Sequence, residues 1–265
     1  QTFTAENLVT KSAEMANYQK NNIGFVESQF EMLKKLELKK DYHYRIIEHC
    51  QKRNIRFLST GFDIESLQFL KSLNMGLWKV PSGELTNIPY LDYLLTTSDP
   101  IILSTGMASL QEVKQTVQYM LNVKSQVNQI TVLHCNTDYP TQYADVHLRA
   151  MQTIQNELNV PIGYSDHTLG VEVSIAAVAL GATVIEKHFT LDRTLKGPDH
   201  KASLEPSELK QLVHSIRNVS QSLGRAEKIP TESELKNKVI ARKSIVAKTR
   251  IKKGELLSDN NITTK

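Results

Sequence analysis

Short apolar runs alternate with amphipathic stretches along most of the chain. The apolar runs are continuous, as is typical of strands whose two faces are both buried in a parallel sheet. Six strands are predicted in this way, at residues 57–60, 77–81, 101–104, 130–135, 161–164 and 183–188.

The amphipathic stretches between these runs have the period of α-helices. Helices are predicted at 28–38, 42–53, 63–73, 88–97, 109–123, 145–158, 171–180 and 205–223. Several begin at capping residues, such as Asp63, Asp145 and Ser109, the last followed by Glu112 at the capping-box position. Strands that alternate with helices at this spacing predict a parallel α/β fold.

Polar side chains at the carboxyl ends of the strands distinguish a closed barrel from an open sheet. The strand ends carry Thr60; Lys79, Ser82 and Glu84; Ser104 and Thr105; Asn136 and Thr137; Ser165 to His167; and His188. An open sheet would gather such groups at one switch point, whereas a barrel mouth takes them from every strand. We therefore predict an α/β fold of the (β/α)8 TIM-barrel type over residues 1–224.

The two ends of the chain depart from this pattern. Eight units need two more strands than the sequence offers, so the first strands of the barrel are expected to lie outside it. At the other end, the polar stretch 225–240 is predicted to be a linker. Residues 241–265 hold a short β pattern at 244–247 and are predicted to begin a small, incomplete second domain.

The composition excludes several classes of protein. The hydrophobic fraction of 40% and charged fraction of 23% are ordinary for a globular protein, and no apolar run reaches the roughly 18 residues of a membrane span. Two cysteines without CxxC spacing argue against a disulfide framework and favour a cytoplasmic location. The net charge of +4 is modest, and the lysine clusters are better explained as a solvated helix face and a basic linker than as a nucleic-acid site.

Two histidines, His167 and His188, follow neighbouring predicted strands. Carboxyl ends of parallel strands meet at one rim, so both imidazoles are expected in the same barrel mouth. Such a pair, with coordination positions left open, suits Mn²⁺, Fe²⁺, Co²⁺ or Zn²⁺ in a catalytic role. Two histidines hydrogen-bonded to their neighbours are the competing interpretation, and Asp166 is either a partner of a metal ligand or a helix cap.

A second group of residues predicts an anion site. Lys79, Ser82 and the open backbone at Gly83 can hold a phosphate or carboxylate, and Ser104 and Thr60 add hydroxyls from the neighbouring strands. Each is an ordinary turn residue when taken alone. Lys79 is alternatively a Schiff-base nucleophile.

A loop is predicted at residues 197–203, after the last strand. Its Asp199 and His200 can bind sugar hydroxyls or shape a lid, and an ordinary polar turn is the alternative.

Together these motifs resemble those of the bacterial sialic acid synthase family, which includes N-acetylneuraminate, legionaminic acid and pseudaminic acid synthases. The matching stretches occur in order: KVPSGE at 79–84, LSTGM at 103–107, HCNTDYP at 134–140, YSDHTL at 164–169, EKHFT at 186–190 and GPDHKAS at 197–203. The resemblance implies a metal-dependent condensation of phosphoenolpyruvate with N-acetylmannosamine, or a related N-acylated amino sugar, and water. The implied products are a nonulosonic acid and phosphate.

The resemblance also implies roles for individual residues. His167 and His188 correspond to metal ligands, with Mn²⁺ as the expected ion and Mg²⁺ or Co²⁺ as alternatives. The residues implied to hold phosphoenolpyruvate are Thr60, Lys79, Ser82, Ser104, Thr137 and Ser165. Those implied to face the amino sugar are Glu84, Tyr139 and Asp199, and Glu84 is expected to act in catalysis with the two histidines.

Further expectations concern the parent protein. By resemblance, residues 241–265 begin an antifreeze-like (SAF) domain, and the full-length protein is a domain-swapped homodimer with no nucleic-acid or membrane partner. The family's first-strand glutamate and a phosphoenolpyruvate-binding lysine are expected before Gln1. Gly61 stands where the family usually has proline.

Two other functions fit the same residues. A Schiff-base sialic acid aldolase would use Lys79 or Lys187 as its nucleophile, and a non-catalytic barrel would only bind a sugar or an anion. Borohydride with pyruvate traps such an aldolase and EDTA leaves it active, whereas a synthase behaves in the opposite way. Metal titration separates the binding protein from the synthase, because a binding protein has no need of His167 and His188 as a pair.

Overall fold

The computed structural model describes residues 1–24, 27–123 and 130–265. These residues form two compact units, Gln1–Leu223 and Gly224–Lys265.

Within the described residues, the first unit is built around a five-stranded parallel sheet. Its strands are β1 (Trp78–Val80), β2 (Ile101–Ser104), β3 (Ile130–Cys135), β4 (Ile162–Asp166) and β5 (Val184–Lys187). They pair in chain order, and every pair is parallel. All the carboxyl ends therefore reach one edge, as in half of a barrel. The parallel α/β prediction is confirmed, and closure into eight strands stays a prediction.

Helices precede and connect the strands of this unit. They are α1 (Ala5–Leu8), α2 (Asn17–Ile23), α3 (Gln29–Leu36), α4 (Lys40–Lys52), α5 (Ile64–Ser72), α6 (Ile88–Leu95), α7 (Leu110–Val123), α8 (Ala150–Leu158), α9 (Glu172–Ala179) and α10 (Pro206–Leu223). In the described part of the chain, none of the helices combines the length and apolar character needed to span a bilayer.

The predicted helix starts are correct where a side chain can reach a free backbone amide. The Asp63 carboxylate accepts a hydrogen bond from the Ser66 amide at 2.8 Å, and the Ser109–Glu112 capping box is present. The predicted start at Asp145 is wrong, because that residue ends the 3₁₀ turn Tyr143–Asp145 and α8 begins at Ala150.

The apolar core lies between the strands and the helices that cover them. Val80, Leu103 and Ile162 from the strands are fully buried, and so are Leu94 from α6 and Met120 from α7. Burying each side chain of this size stabilises the fold by about 1.5–3 kcal/mol. This packing holds the strand ends rigidly, which is what a preorganised site needs.

The first predicted strand, at 57–60, is not a strand. A ladder needs a partner along its length, and among the described residues only Thr2 pairs with this stretch, through an isolated parallel bridge to Gly61. The Thr2 amide donates to the Thr60 carbonyl at 2.8 Å, and the Phe62 amide donates to the Thr2 carbonyl at 3.2 Å. Thr60 is thus held by the N-terminal segment without forming a strand.

The second unit contains α11 (Glu232–Ala241) and an antiparallel pair of strands, β6 (Ile245–Ala247) and β7 (Ile262–Thr264). The β pattern predicted at 244–247 is therefore confirmed. Residues 225–240, predicted to be a linker, include most of α11, because Thr231 and Glu234 form a capping box that starts a helix. The antifreeze-like assignment of this unit stays a prediction.

Candidate active site

A cavity of about 800 Å³ opens where the carboxyl ends of the strands meet. Most of the site residues predicted from the sequence line it. They are Thr60, Lys79, Ser82, Ser104, Thr137, Tyr139, Ser165, His167 and His188. Asp199 lines an adjoining cavity that shares Tyr139 and His188 with the first.

A buried ammonium group marks one end of this cavity. The Lys79 side chain is 6% exposed, and its Nζ donates a hydrogen bond to Ser104 Oγ at 2.7 Å. Glu186 Oε2 lies 3.4 Å from the same Nζ, and Glu186 Oε1 accepts a hydrogen bond from Ser165 Oγ at 2.7 Å. The carboxylate thus joins the ammonium to a hydroxyl on the neighbouring strand β4.

The Ser82 hydroxyl completes this end of the cavity. Its oxygen accepts a hydrogen bond from the Gly106 amide at 2.9 Å and lies 3.2 Å from Cys135 Sγ. A Cβ at Gly106 would lie 2.6 Å from Thr137 Cγ2 and 2.8 Å from Ser82 Oγ. Glycine is therefore required where these three loops converge. An ammonium and several hydroxyls so arranged can bind an anionic oxygen group.

The two predicted metal-ligand histidines lie side by side at another part of the rim. Their ring centroids are 5.1 Å apart and the rings are nearly perpendicular, at 77°. His167 Nδ1 is 2.7 Å from the Asn136 carbonyl oxygen. A carbonyl only accepts, so Nδ1 carries the proton and Nε2 keeps its lone pair. Burial, reinforced by the neighbouring His188, lowers the pKa of His167 to about 4.

Aromatic rings and a carboxylate adjoin the histidine pair. The Tyr139 ring centroid lies 4.2 Å from that of His167, and Tyr18 packs on Tyr139 at 4.9 Å. Asp199 Oδ2 is 3.7 Å from His188 Nδ1, and Asp199 Oδ1 is buried without a partner among the described residues. Burial raises the pKa of Asp199 above its ordinary value, and the neighbouring His188 offsets only part of this rise. An unsatisfied carboxylate oxygen beside aromatic rings suits a polyol donor.

The donor set fits a catalytic metal ion with few protein ligands. Among the described residues, no group of three or more His, Cys, Asp or Glu side chains could hold a metal ion. Two imidazoles on adjacent strand ends, with cavity space beside them, leave positions for water and substrate. The histidine pair therefore fits an open, catalytic site and not a closed, structural one.

Glu84 does not line the cavity that contains the histidines. It lines a separate cavity of about 550 Å³ with Asp63, and Asn87 Nδ2 donates a hydrogen bond to its carboxylate at 2.6 Å. The reason is local, because Ser82–Glu84 is a 3₁₀ turn and its successive side chains point in different directions. The structure thus separates Glu84 from its predicted partners, and its role in catalysis stays a prediction.

The N-terminal segment supplies cavity residues that the sequence did not identify. Tyr18, Gln19 and Gln29 line the cavity, as does Gln1. Asn22 fastens this segment to the site, because its Nδ2 donates to the Tyr139 carbonyl at 3.0 Å and to the Pro198 carbonyl at 2.7 Å. No strand-end pattern precedes these residues, so only the long-range contacts reveal them.

Lysine, hydroxyl and imidazole groups at the strand ends around one cavity form an arrangement typical of a parallel α/β enzyme, with groups at one end that can bind an anion. The family model described as "NeuB family" matches residues 1–228, and the chain belongs to that family. The resemblance found in the sequence is thereby confirmed, and the family is that of the nonulosonic acid synthases.

Individual relatives agree with this assignment. The chain is 48% identical over 265 residues to N,N'-diacetyllegionaminic acid synthase of Campylobacter jejuni, covering 100% of this chain and 79% of that protein. The Legionella pneumophila protein of the same name is 47% identical over 266 residues, covering 99% and 74%. The crystal structure of N-acetylneuraminic acid synthetase from Leptospira borgpetersenii in complex with citrate superposes with a TM-score of 0.76 at 32% identity, covering 91% and 78%.

The protonation state of His167 is directly testable in metal-free protein. With a pKa of about 4, its imidazole should remain neutral from pH 8 down to about pH 5, with the proton on Nδ1. Long-range ¹H–¹⁵N spectra of labelled protein, assigned with a His167→Gln variant, report both the charge and the tautomer. An imidazolium signal for His167 at pH 6, or a proton on Nε2, would contradict this geometry.

Proposed function

We propose that the protein condenses phosphoenolpyruvate with an N-acylated amino sugar and water, forming a nonulosonic acid and releasing phosphate. The observation that carries the proposal is the composition of one cavity. It combines the buried ammonium of Lys79 and its hydroxyl neighbours with the imidazole and tyrosine side chains of His167, His188 and Tyr139. Membership of a family of nonulosonic acid synthases supports the same reaction.

The reaction forms a carbon–carbon bond, forms a carbon–oxygen bond from water and breaks the carbon–oxygen bond to phosphate. The C3 atom of phosphoenolpyruvate attacks the aldehyde carbon of the open-chain sugar, and the aldehyde oxygen takes up a proton to become a hydroxyl. Water adds to the resulting cationic C2. The C2–O bond to phosphate then breaks, leaving a keto acid and inorganic phosphate.

Lys79, Ser82 and Ser104 are proposed to hold the phosphate through this sequence. Charge develops on the leaving phosphate, and preorganised donors in a buried site stabilise such charge most effectively. Glu186 is proposed to stabilise the cationic C2, since its carboxylate lines the same cavity and lies 3.4 Å from Lys79 Nζ. Thr60, Thr137 and Ser165 contribute further hydroxyls.

We also propose that His167 and His188 bind a divalent ion, Mn²⁺ first, with Mg²⁺ and Co²⁺ as alternatives. When bound, the ion supplies Lewis acidity that polarises the sugar aldehyde. His167 is prepared for this task, because the Asn136 carbonyl fixes its tautomer and burial keeps its ring neutral.

The aromatic end of the site is proposed to bind the amino sugar. Tyr18 and Tyr139 supply ring faces, Asp199 Oδ1 accepts from a hydroxyl, and Glu84 stays a candidate from its neighbouring cavity. Gln29 Oε1 is buried without a partner in the described part of the chain, so it can accept from an acetamido N–H. Two relatives near 48% identity are N,N'-diacetyllegionaminic acid synthases, which favours a diacetylated amino hexose over N-acetylmannosamine.

For the full-length protein, the resemblance supports a domain-swapped homodimer in the cytoplasm. In that arrangement the antifreeze-like domain of one protomer would cover the site of its partner.

The decisive assay measures phosphate released from phosphoenolpyruvate by the full-length protein with each candidate acceptor. We expect release with an equal amount of nonulosonic acid, fastest with the diacetylated hexose. EDTA should stop it and Mn²⁺ should restore it. Turnover that survives EDTA, together with trapping by borohydride and pyruvate, would instead establish the aldolase. Metal binding without turnover on any acceptor would contradict an enzymatic role.

Lys79→Met tests which end of the cavity holds phosphoenolpyruvate. A charge-assisted hydrogen bond to phosphate is worth about 1.5–3 kcal/mol, so kcat/KM for phosphoenolpyruvate should fall roughly 10–100-fold. The KM for the sugar should change little. Lys71→Met is the matched control, since Lys71 lies on α5 over the Tyr93 ring and does not line the cavity. A change confined to the sugar KM would show that the two substrates are exchanged.

A further inference from the structure

A buried ion pair occupies the positions immediately before the two histidines on their strands. Asp166 ends β4 and Lys187 ends β5, and the two residues are register partners across the sheet. Lys187 Nζ is 2.9 Å from Asp166 Oδ2, and the two side chains are only 3% and 0% exposed. His167 and His188 are the next residues along each strand end. In the described structure neither charged residue lines the cavity.

The alternation of side chains along a strand explains this placement. Ser165 and Glu186, one position earlier, face the cavity and hydrogen-bond to each other across the strands. Asp166 and Lys187 therefore point to the opposite face. The positions that follow return to the cavity, which is where the histidines lie.

Lys187 contacts the residues on both sides of His167. Besides its ion pair with Asp166, its Nζ donates a hydrogen bond to the Thr168 carbonyl at 2.7 Å. The ammonium group of Lys187, the residue before His188, thus contacts both the residue before His167 and the residue after it.

Asp166 is fully engaged by the same network. It accepts hydrogen bonds from the Thr168 amide at 2.9 Å, from Thr168 Oγ1 at 2.7 Å and from Ser174 Oγ at 2.5 Å. Ser174 lies on α9, so the carboxylate also ties the strand end to the following helix. No described hydrogen bond joins Asp166 to either histidine, and its carboxylate caps the turn at Thr168 and not the helix α9, whose N-cap is Val171.

Stability alone is a weak explanation for such a pair. Removing two charges from water costs several kcal/mol, and well-packed apolar side chains often stabilise a core as well or better. What an ion pair with directional hydrogen bonds adds is a fixed geometry. Here that geometry joins the two backbone segments that carry the imidazoles.

We propose that Lys187 is a positioning residue that, through Asp166 and the Thr168 carbonyl, sets the separation of His167 and His188 and so the affinity of the pair for a divalent ion. The inference rests on the metal site of the proposed function. It also assigns Lys187 a task that excludes the Schiff-base role, because its Nζ is engaged on the face away from the cavity.

Titration of metal-free, full-length protein with Mn²⁺, and with Co²⁺ as a spectroscopic probe, tests this role. Lys187→Met removes the contacts of the ammonium group with Asp166 and with the Thr168 carbonyl. Combining it with Asp166→Asn removes the same contacts without leaving a buried charge unpaired. We expect each to weaken Mn²⁺ binding about tenfold or more and to alter the Co²⁺ absorption spectrum. Leu94→Ala is the control, since it removes a fully buried side chain from α6 and does not touch the network.

The outcomes separate the inference from the function on which it rests. If wild-type protein binds neither ion, both the proposed metal site and the inference are contradicted. If wild type binds and the double variant binds equally well with an unchanged Co²⁺ spectrum, the inference alone is overturned. An equal loss of affinity in Leu94→Ala would also overturn it, because the effect would then follow general destabilisation. If Lys187→Met does not fold, the metal affinity of the double variant is compared with that of wild type instead.

Discussion

Parallel pairing in chain order is the constraint on which the cavity depends. The described strands β1 to β5 all end at one edge, so residues far apart in sequence deliver their side chains to the same space. The pairing of β4 with β5 is the most consequential, because it places Ser165 opposite Glu186 and Asp166 opposite Lys187. A slip of one residue would exchange the two faces of a strand. It would bury Ser165 against the helices and turn Asp166 into the cavity.

The cavity that results is divided by chemistry. One end has an ammonium and hydroxyl groups, as an anionic substrate requires, and the other has imidazole, phenol and carboxylate groups, as a polyol requires. Glu186 adds a carboxylate to the first end, where one of its oxygens accepts a hydrogen bond from Ser165 and the other approaches Lys79 Nζ. Lys79 at one end and His167 at the other are buried, and electrostatic interactions are stronger at such positions than in water. For the proposed function, this division would let one site hold an anionic substrate and a neutral polyol next to each other.

Much of the fold and part of the site could be predicted from the sequence because their signals are local. Continuous apolar runs gave the strands β1 to β5, and the polar residues after them gave most of the cavity lining. The stretch 57–60 has a similar apolar run, but whether it forms a strand depends on a partner elsewhere in the chain. The direction of Glu84 depends on a 3₁₀ turn that residue types do not reveal. The cavity residues contributed by α2 depend on contacts of Asn22 with loops more than a hundred positions away.

The division of the cavity is the central claim, and a crystal structure of the full-length protein with phosphoenolpyruvate bound tests it most directly. The account predicts the phosphate oxygens within hydrogen-bond distance of Lys79 Nζ and of the Ser82 and Ser104 hydroxyls. The space beside Tyr139 and Asp199 should then stay open for the sugar. Phosphoenolpyruvate bound against Tyr139 and Asp199, with no contact between its phosphate and Lys79 Nζ, would contradict the account.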